Sequence, residues 1–183
     1  CDAGTFQDLA AQSVCKDCLV GTFQSSVGQK ACTPCDPGTY TAVNGSQSCL
    51  NCFAGMFQDG SGQSSCKFCA VGKFQATTGQ KACDDCAPGT FASITGRQNC
   101  TSCDAGTFQD LAAQSVCKDC LVGTFQASVG QKACTPCDPG TYTAVNGSQS
   151  CLNCFAGMFQ DNSGESSCKF CAVGKFQATT GQK

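Results

Sequence analysis

The sequence contains no histidine and no tryptophan. Without histidine, neither a Ser-His-Asp nor a Cys-His catalytic set can be assembled. Leu, Ile and Val are scarce, so 183 residues cannot enclose the aliphatic core that one compact domain of this length buries. Net charge is only −2, with no basic patch and no aromatic-basic interleaving, so nothing suggests nucleic-acid binding. No apolar run approaches the roughly 18–20 residues of a membrane span. No signal peptide is visible. The chain starts on a cysteine and stops at TTGQK, and it reads as a piece cut from something longer, in which a missing leader is uninformative. No cofactor motif is present.

Cysteine is what the chain has in excess. Its 21 cysteines exceed the roughly 8–10% that marks a disulfide scaffold. They fall into two series. One is Cys15, Cys32, Cys49, Cys66, Cys83, Cys100, Cys117, Cys134, Cys151 and Cys168. The other is Cys1, Cys18, Cys35, Cys52, Cys69, Cys86, Cys103, Cys120, Cys137, Cys154 and Cys171. Both advance by 17 without a slip. A glycine stands three residues after each cysteine of the second series, and a Phe or Tyr five after. A second glycine stands ten after in nine of eleven units, with Ala11 and Ala113 as the exceptions. A longer period overlies this one. Residues 1–81 match residues 103–183 at 78 of 81 positions, a super-repeat of 102 residues. The expected organisation is a tandem array of about eleven 17-residue units over residues 1–183, a fragment of a longer chain.

Each unit reads as a small β-hairpin. In Cys35–Cys49, GTYTA alternates as a short strand, Asn44-Gly45 is a favoured two-residue hairpin turn, and SQSC returns as a second strand. The aromatic is the one large apolar group of most units, and packs on the disulfides and the next unit. One disulfide and one aromatic cannot offset the ordering of seventeen residues, so units must stack. Nearest-neighbour coupling then gives a solenoid-like rod, a small disulfide-rich β fold with two cysteines per repeat.

Strict periodicity leaves three pairings: within each C-x-x-C, between interlocked neighbours such as Cys15–Cys35, or from each second-series cysteine to the next first-series cysteine. The last is preferred, because it makes ten bonds and leaves only Cys171, whose partner would lie beyond the fragment. It joins Cys1–Cys15, Cys18–Cys32, Cys35–Cys49, Cys52–Cys66, Cys69–Cys83, Cys86–Cys100, Cys103–Cys117, Cys120–Cys134, Cys137–Cys151 and Cys154–Cys168. Zinc is the rival, since C-x2-C-x13-C-x2-C is close to a four-cysteine site. Choosing zinc partners would break the 17-residue period into 34, and the flanking residues show no such alternation. Redox C-x-x-C catalysis lacks its βαβ context.

The pattern C-x-x-G-x-[FY]…G…C-x-x-C, as in CDPGTYTAVNGSQSCLNC, resembles the ephrin-receptor-like cysteine-rich repeats. These are similar in style to the first small module of tumour-necrosis-factor-receptor domains and to EGF-like modules. The resemblance covers essentially the whole chain. It implies secretion, disulfides and elongated modular stalks. It also implies that the cysteine before xxGxY pairs with the one that ends the hairpin, here Cys35–Cys49 and its equivalents.

Three sequons, at Asn44, Asn99 and Asn146, are candidate N-glycosylation sites. DGSG at Asp59–Gly62 lacks the spaced carboxylates of a calcium loop and reads as a turn. Asp84 and Asp85 read as solvated. Phe53, Phe68, Phe155 and Phe170 break the pattern of one aromatic per unit and are candidates for lateral contact with another chain. The expected function is that of a structural extracellular protein, a disulfide-stapled rod or filament at a cell surface that associates with itself, and not an enzyme. The alternative is a ligand-binding receptor or adhesin ectodomain, which would vary from unit to unit where this chain is uniform.

Overall fold

The computed structural model describes residues 1–9 and 13–183; Ala11 lies outside the described residues. Among the described residues there is no helix, and twenty strands of two residues each form ten antiparallel hairpins. Thr5–Phe6 pairs with Lys16–Asp17, Thr22–Phe23 with Thr33–Pro34, and Thr39–Tyr40 with Leu50–Asn51. The same register recurs every 17 residues as far as Met158–Phe159 with Lys169–Phe170. The chain divides into two units, Cys1–Asp85 with Ile94–Asn99, and Cys86–Ser93 with Cys100–Lys183.

The hairpins differ from the sequence expectation in their return strand. SQSC is not a strand. Tyr40 is opposite Leu50 and Thr39 opposite Asn51, so the chain returns through the two residues between paired cysteines. Asn44-Gly45 remains a turn, but not the mirror-image hairpin turn, which needs positive φ at both positions. Gly45 has φ +71°, whereas Ala113 is the one non-glycine with positive φ among the described residues. The cause is a competing use of the backbone. Gly45 N–H donates to the Cys18 carbonyl at 2.8 Å, and the Ser46 carbonyl accepts from Gln24 N–H at 3.1 Å. Both groups serve the preceding repeat instead of their own hairpin.

Such bonds hold successive repeats together within each unit. In the first, Gly38 N–H donates to the Gln58 carbonyl of the next repeat at 2.7 Å. In the second, Gly89 N–H donates to the Gln109 carbonyl at 2.7 Å, and Gly130 N–H donates back to the Cys103 carbonyl at 2.7 Å. The coupling also reaches further than nearest neighbours, which corrects the simple solenoid expectation. Gly89, at φ +88°, abuts Gly130 two repeats on. A Cβ on Gly89 would lie closer than 3.0 Å to the Gly130 carbonyl oxygen. Gly38 abuts Gly79 in the same way within the first unit. Only glycine meets both demands, a left-handed backbone and a carbonyl against its Cα.

The core is made of sulfur. Nine second-series cysteines, from Cys18 to Cys154, have no exposed surface. The periodic aromatics, such as Phe6, Phe23, Tyr40 and Phe57, are only half-buried. Gln58, Gln75, Gln109 and Gln160 are buried, as are Thr41 and Thr143.

Candidate functional site: the disulfide ladder and its exposed face

Each hairpin is closed by one disulfide spanning fourteen residues. The bonded pairs are Cys1–Cys15, Cys18–Cys32, Cys35–Cys49, Cys52–Cys66, Cys69–Cys83, Cys86–Cys100, Cys103–Cys117, Cys120–Cys134, Cys137–Cys151 and Cys154–Cys168. The Cα atoms of bonded cysteines lie between 5.4 Å (Cys1–Cys15) and 5.8 Å (Cys35–Cys49), inside the range an unstrained bridge occupies. Cys171 is a free, half-buried thiol. A sulfur in a disulfide has no thiolate to offer a metal, so zinc ligation would require reduction first. Apart from the Cys1–Cys15 bridge, each bond has a buried sulfur residue on the second-series side and a half-exposed one on the first-series side.

A column of glutamines bridges most of the loops, a role the sequence pattern alone does not reveal. Gln stands six residues after the second-series cysteine in eight of eleven units. The period was visible, but a polar residue in a regular column reads as surface. Burial shows otherwise. Gln109 Nε2 donates to the Val116 carbonyl at 2.7 Å, while its Oε1 accepts from Leu111 N–H at 3.1 Å. Gln58 does the same with Ser65 at 2.6 Å and Gly60 at 3.1 Å. The amide bridges a loop that has no strand pairing of its own, and the polar atoms buried with the glutamine side chain find their partners there. Where Thr replaces Gln, Thr41 and Ser46 hydroxyls share a hydrogen bond of 2.5 Å. In the unit with Ala92, Arg97 Nε donates to the Asn99 carbonyl at 3.3 Å, the position that Gln caps elsewhere.

Every third hairpin carries a charged clip. Lys16 bonds Asp8 at 2.7 Å and lies 5.8 Å from the centre of the Phe6 ring. The arrangement recurs 51 residues on, at Lys67, Asp59 and Phe57, and again at Lys118, Asp110 and Phe108, and at Lys169, Asp161 and Phe159. The hydrogen bond from each lysine holds its aspartate below the ordinary carboxylate value. Asp59 of the DGSG turn is therefore an ion-pair partner. Asp84 and Asp85 are both exposed, and Asp85 faces Lys73 across its hairpin and pairs with it in solvent.

The lateral-contact candidates are solvent-facing. Phe53 is 64% exposed, Phe68 64%, Phe155 61% and Phe170 81%. Phe68 also rests one ring edge over Gly96, two repeats on, and forms a wall of a cleft of about 420 Å³ with Phe57, Lys67 and Ala82. The sequon asparagines Asn44, Asn99 and Asn146 are exposed. Asn44 Oδ1 accepts from Val20 N–H at 3.0 Å and Asn146 Oδ1 from Val122 N–H at 2.9 Å. Nδ2, the atom a glycan would occupy, takes no part in those bonds.

Ten disulfide hairpins in one register define a small disulfide-rich β repeat protein. The family model for tyrosine-protein kinase ephrin type A/B receptor-like sequences matches residues 21–62, 55–98, 89–130, 112–150, 123–167 and 140–183, and the chain belongs to this ephrin-receptor-like family. No curated protein is similar enough to count as a match. The matched spans have a structural counterpart. The first runs from Gly21 to Gly62 and the third from Gly89 to Gly130, the glycine pairs that touch across two repeats. The family and the disulfides point to an extracellular or secreted protein. Among the described residues, no helix is long and apolar enough to cross a membrane.

Proposed function

We propose that the chain is a structural segment of an extracellular repeat protein, a disulfide-stapled rod or filament that associates laterally through Phe53, Phe68, Phe155 and Phe170. The observation that carries this reading is the recurrence of solvent-facing phenylalanines every 102 residues on otherwise uniform repeats. A surface that repeats itself suits a partner that repeats itself, namely another copy of the chain. A receptor would need units that differ. Asn44, Asn146 and Asn99 are the proposed N-glycan sites, because they are exposed and their side-chain amides are accessible.

The test is electron microscopy and sedimentation of native and variant chains. Replacing Phe53, Phe155 and Phe170 by Ser removes rings that are mostly in solvent. Bundles should be lost and the melting temperature kept. Bundles that persist, or monomers that unfold, would contradict the reading.

A further inference from the structure

We infer that the chain is an inextensible, tension-bearing tether, in which the disulfides carry load and the hairpin loops lie outside the load path. This rests on the structural role proposed above. It concerns what a single chain does under force, which lateral association does not touch.

The argument is one of covalent connectivity. A pull on the two ends is transmitted along the shortest covalent route. In each repeat that route enters at one second-series cysteine, crosses the disulfide, and leaves through the three-residue step to the next. From Cys35 it passes to Cys49 and then to Cys52, bypassing residues 36–48. The bridge spans 5.8 Å between Cα atoms. With three backbone steps, one repeat can extend to only about 16 Å, against about 60 Å for seventeen free residues. Pairing within each C-x-x-C does not do this. Bonds within each C-x-x-C would leave thirteen-residue segments free to stretch.

Burial adds a chemical consequence. From Cys18 to Cys154 the bonded second-series cysteines are buried, whereas their first-series partners, Cys32 to Cys168, are part-exposed. A thiolate reductant therefore reaches the first-series sulfur. With dithiothreitol, one thiolate attacks Cys49 Sγ, forms a mixed disulfide and expels the Cys35 thiolate. The second thiolate of the reagent then closes the cyclic disulfide and releases the Cys49 thiolate. The reagent is oxidised by two electrons and the protein bridge is reduced by two. One hairpin has then been transferred into the load path, lengthening it by about 40–45 Å. The tether is thus fixed in length when oxidised and extends in discrete steps when reduced.

Single-molecule stretching of the 183-residue chain, held by tags at both ends and with Cys171 alkylated, tests this. The oxidised chain should reach roughly one quarter of the contour length of the reduced one. At constant force, dithiothreitol should release up to ten separate steps of about 40–45 Å each. A singly charged trapping thiol, quenched by acid, should be recovered on Cys32, Cys49 or Cys66 and not on Cys18, Cys35 or Cys52. Full extension of the oxidised chain, steps of another size, or adducts on the second series would overturn the inference. Failure of the self-association reading would appear instead as monomers in sedimentation, with these lengths unchanged.

Discussion

Replacing Gly89 by Ala and replacing Gly130 by Ala place a methyl group on either side of one contact, yet the two should differ widely. Both glycines are left-handed, at φ +88° and +71°. A side chain there costs about 1–2 kcal/mol in either case. On Gly130 the added Cβ would meet only the Ser102 side chain, at 3.7 Å. The chain already places Ala113, at φ 60°, in this column. On Gly89 the Cβ would fall closer than 3.0 Å to the Gly130 carbonyl oxygen, which is backbone and has no rotamer to yield. Relieving that overlap by parting the two repeats adds about 1–3 kcal/mol, as overpacking does elsewhere. The readout is amide hydrogen exchange at Cys103, whose N–H donates to the Gly89 carbonyl at 2.9 Å. Exchange should quicken about tenfold for Gly130→Ala and about a hundredfold or more for Gly89→Ala, at 1.4 kcal/mol per decade. Equal losses in the two variants would refute the claim that repeats close on each other at the first glycine.

Other outcomes follow from the same geometry. Gln109→Ala strips its loop of a buried donor and acceptor and should cost about 1–3 kcal/mol in denaturant unfolding, with Leu111 the first amide to lose protection; unchanged protection would show the amide to be dispensable. Asp8, Asp59, Asp110 and Asp161 are held below the ordinary value of 3.8 by their lysines. Their ion pairs are therefore fully formed above that value and are lost as pH falls through the depressed ones. Carbon-detected titration should find these four carboxylates below the ordinary value, and Asp59→Asn should remove that local response; ordinary titration of them in the native chain would count against the pairs. Full reduction should unfold the chain, since the cysteines are the core; a retained spectrum in reductant would mean the stacking alone suffices.

How much of this was legible beforehand depends on the scale of the signal. Periodicity fixed the hairpin per 17 residues, because cysteine, glycine and aromatic columns each serve one local demand. It misplaces the return strand, since by pattern the Asn44-Gly45 turn belongs to its own hairpin. Its glycine N–H is in fact directed to Cys18 of the preceding repeat. It also stopped the coupling one repeat short. The Gly89–Gly130 contact joins residues 41 apart in sequence, a distance no 17-residue column reveals. The buried glutamines escaped notice for a related reason. Polarity signals exposure only where a backbone ladder already satisfies the interior, and these loops have no ladder.

Every hairpin is closed by its own covalent rung. Proteolysis without reduction, followed by mass spectrometry of the linked peptides, tests it most directly. Links are expected only between cysteines fourteen residues apart, as in Cys35–Cys49, with a gain of two hydrogens for each of ten bonds on reduction. Links within a C-x-x-C, such as Cys32–Cys35, or free thiols released together with chelatable metal, would contradict it.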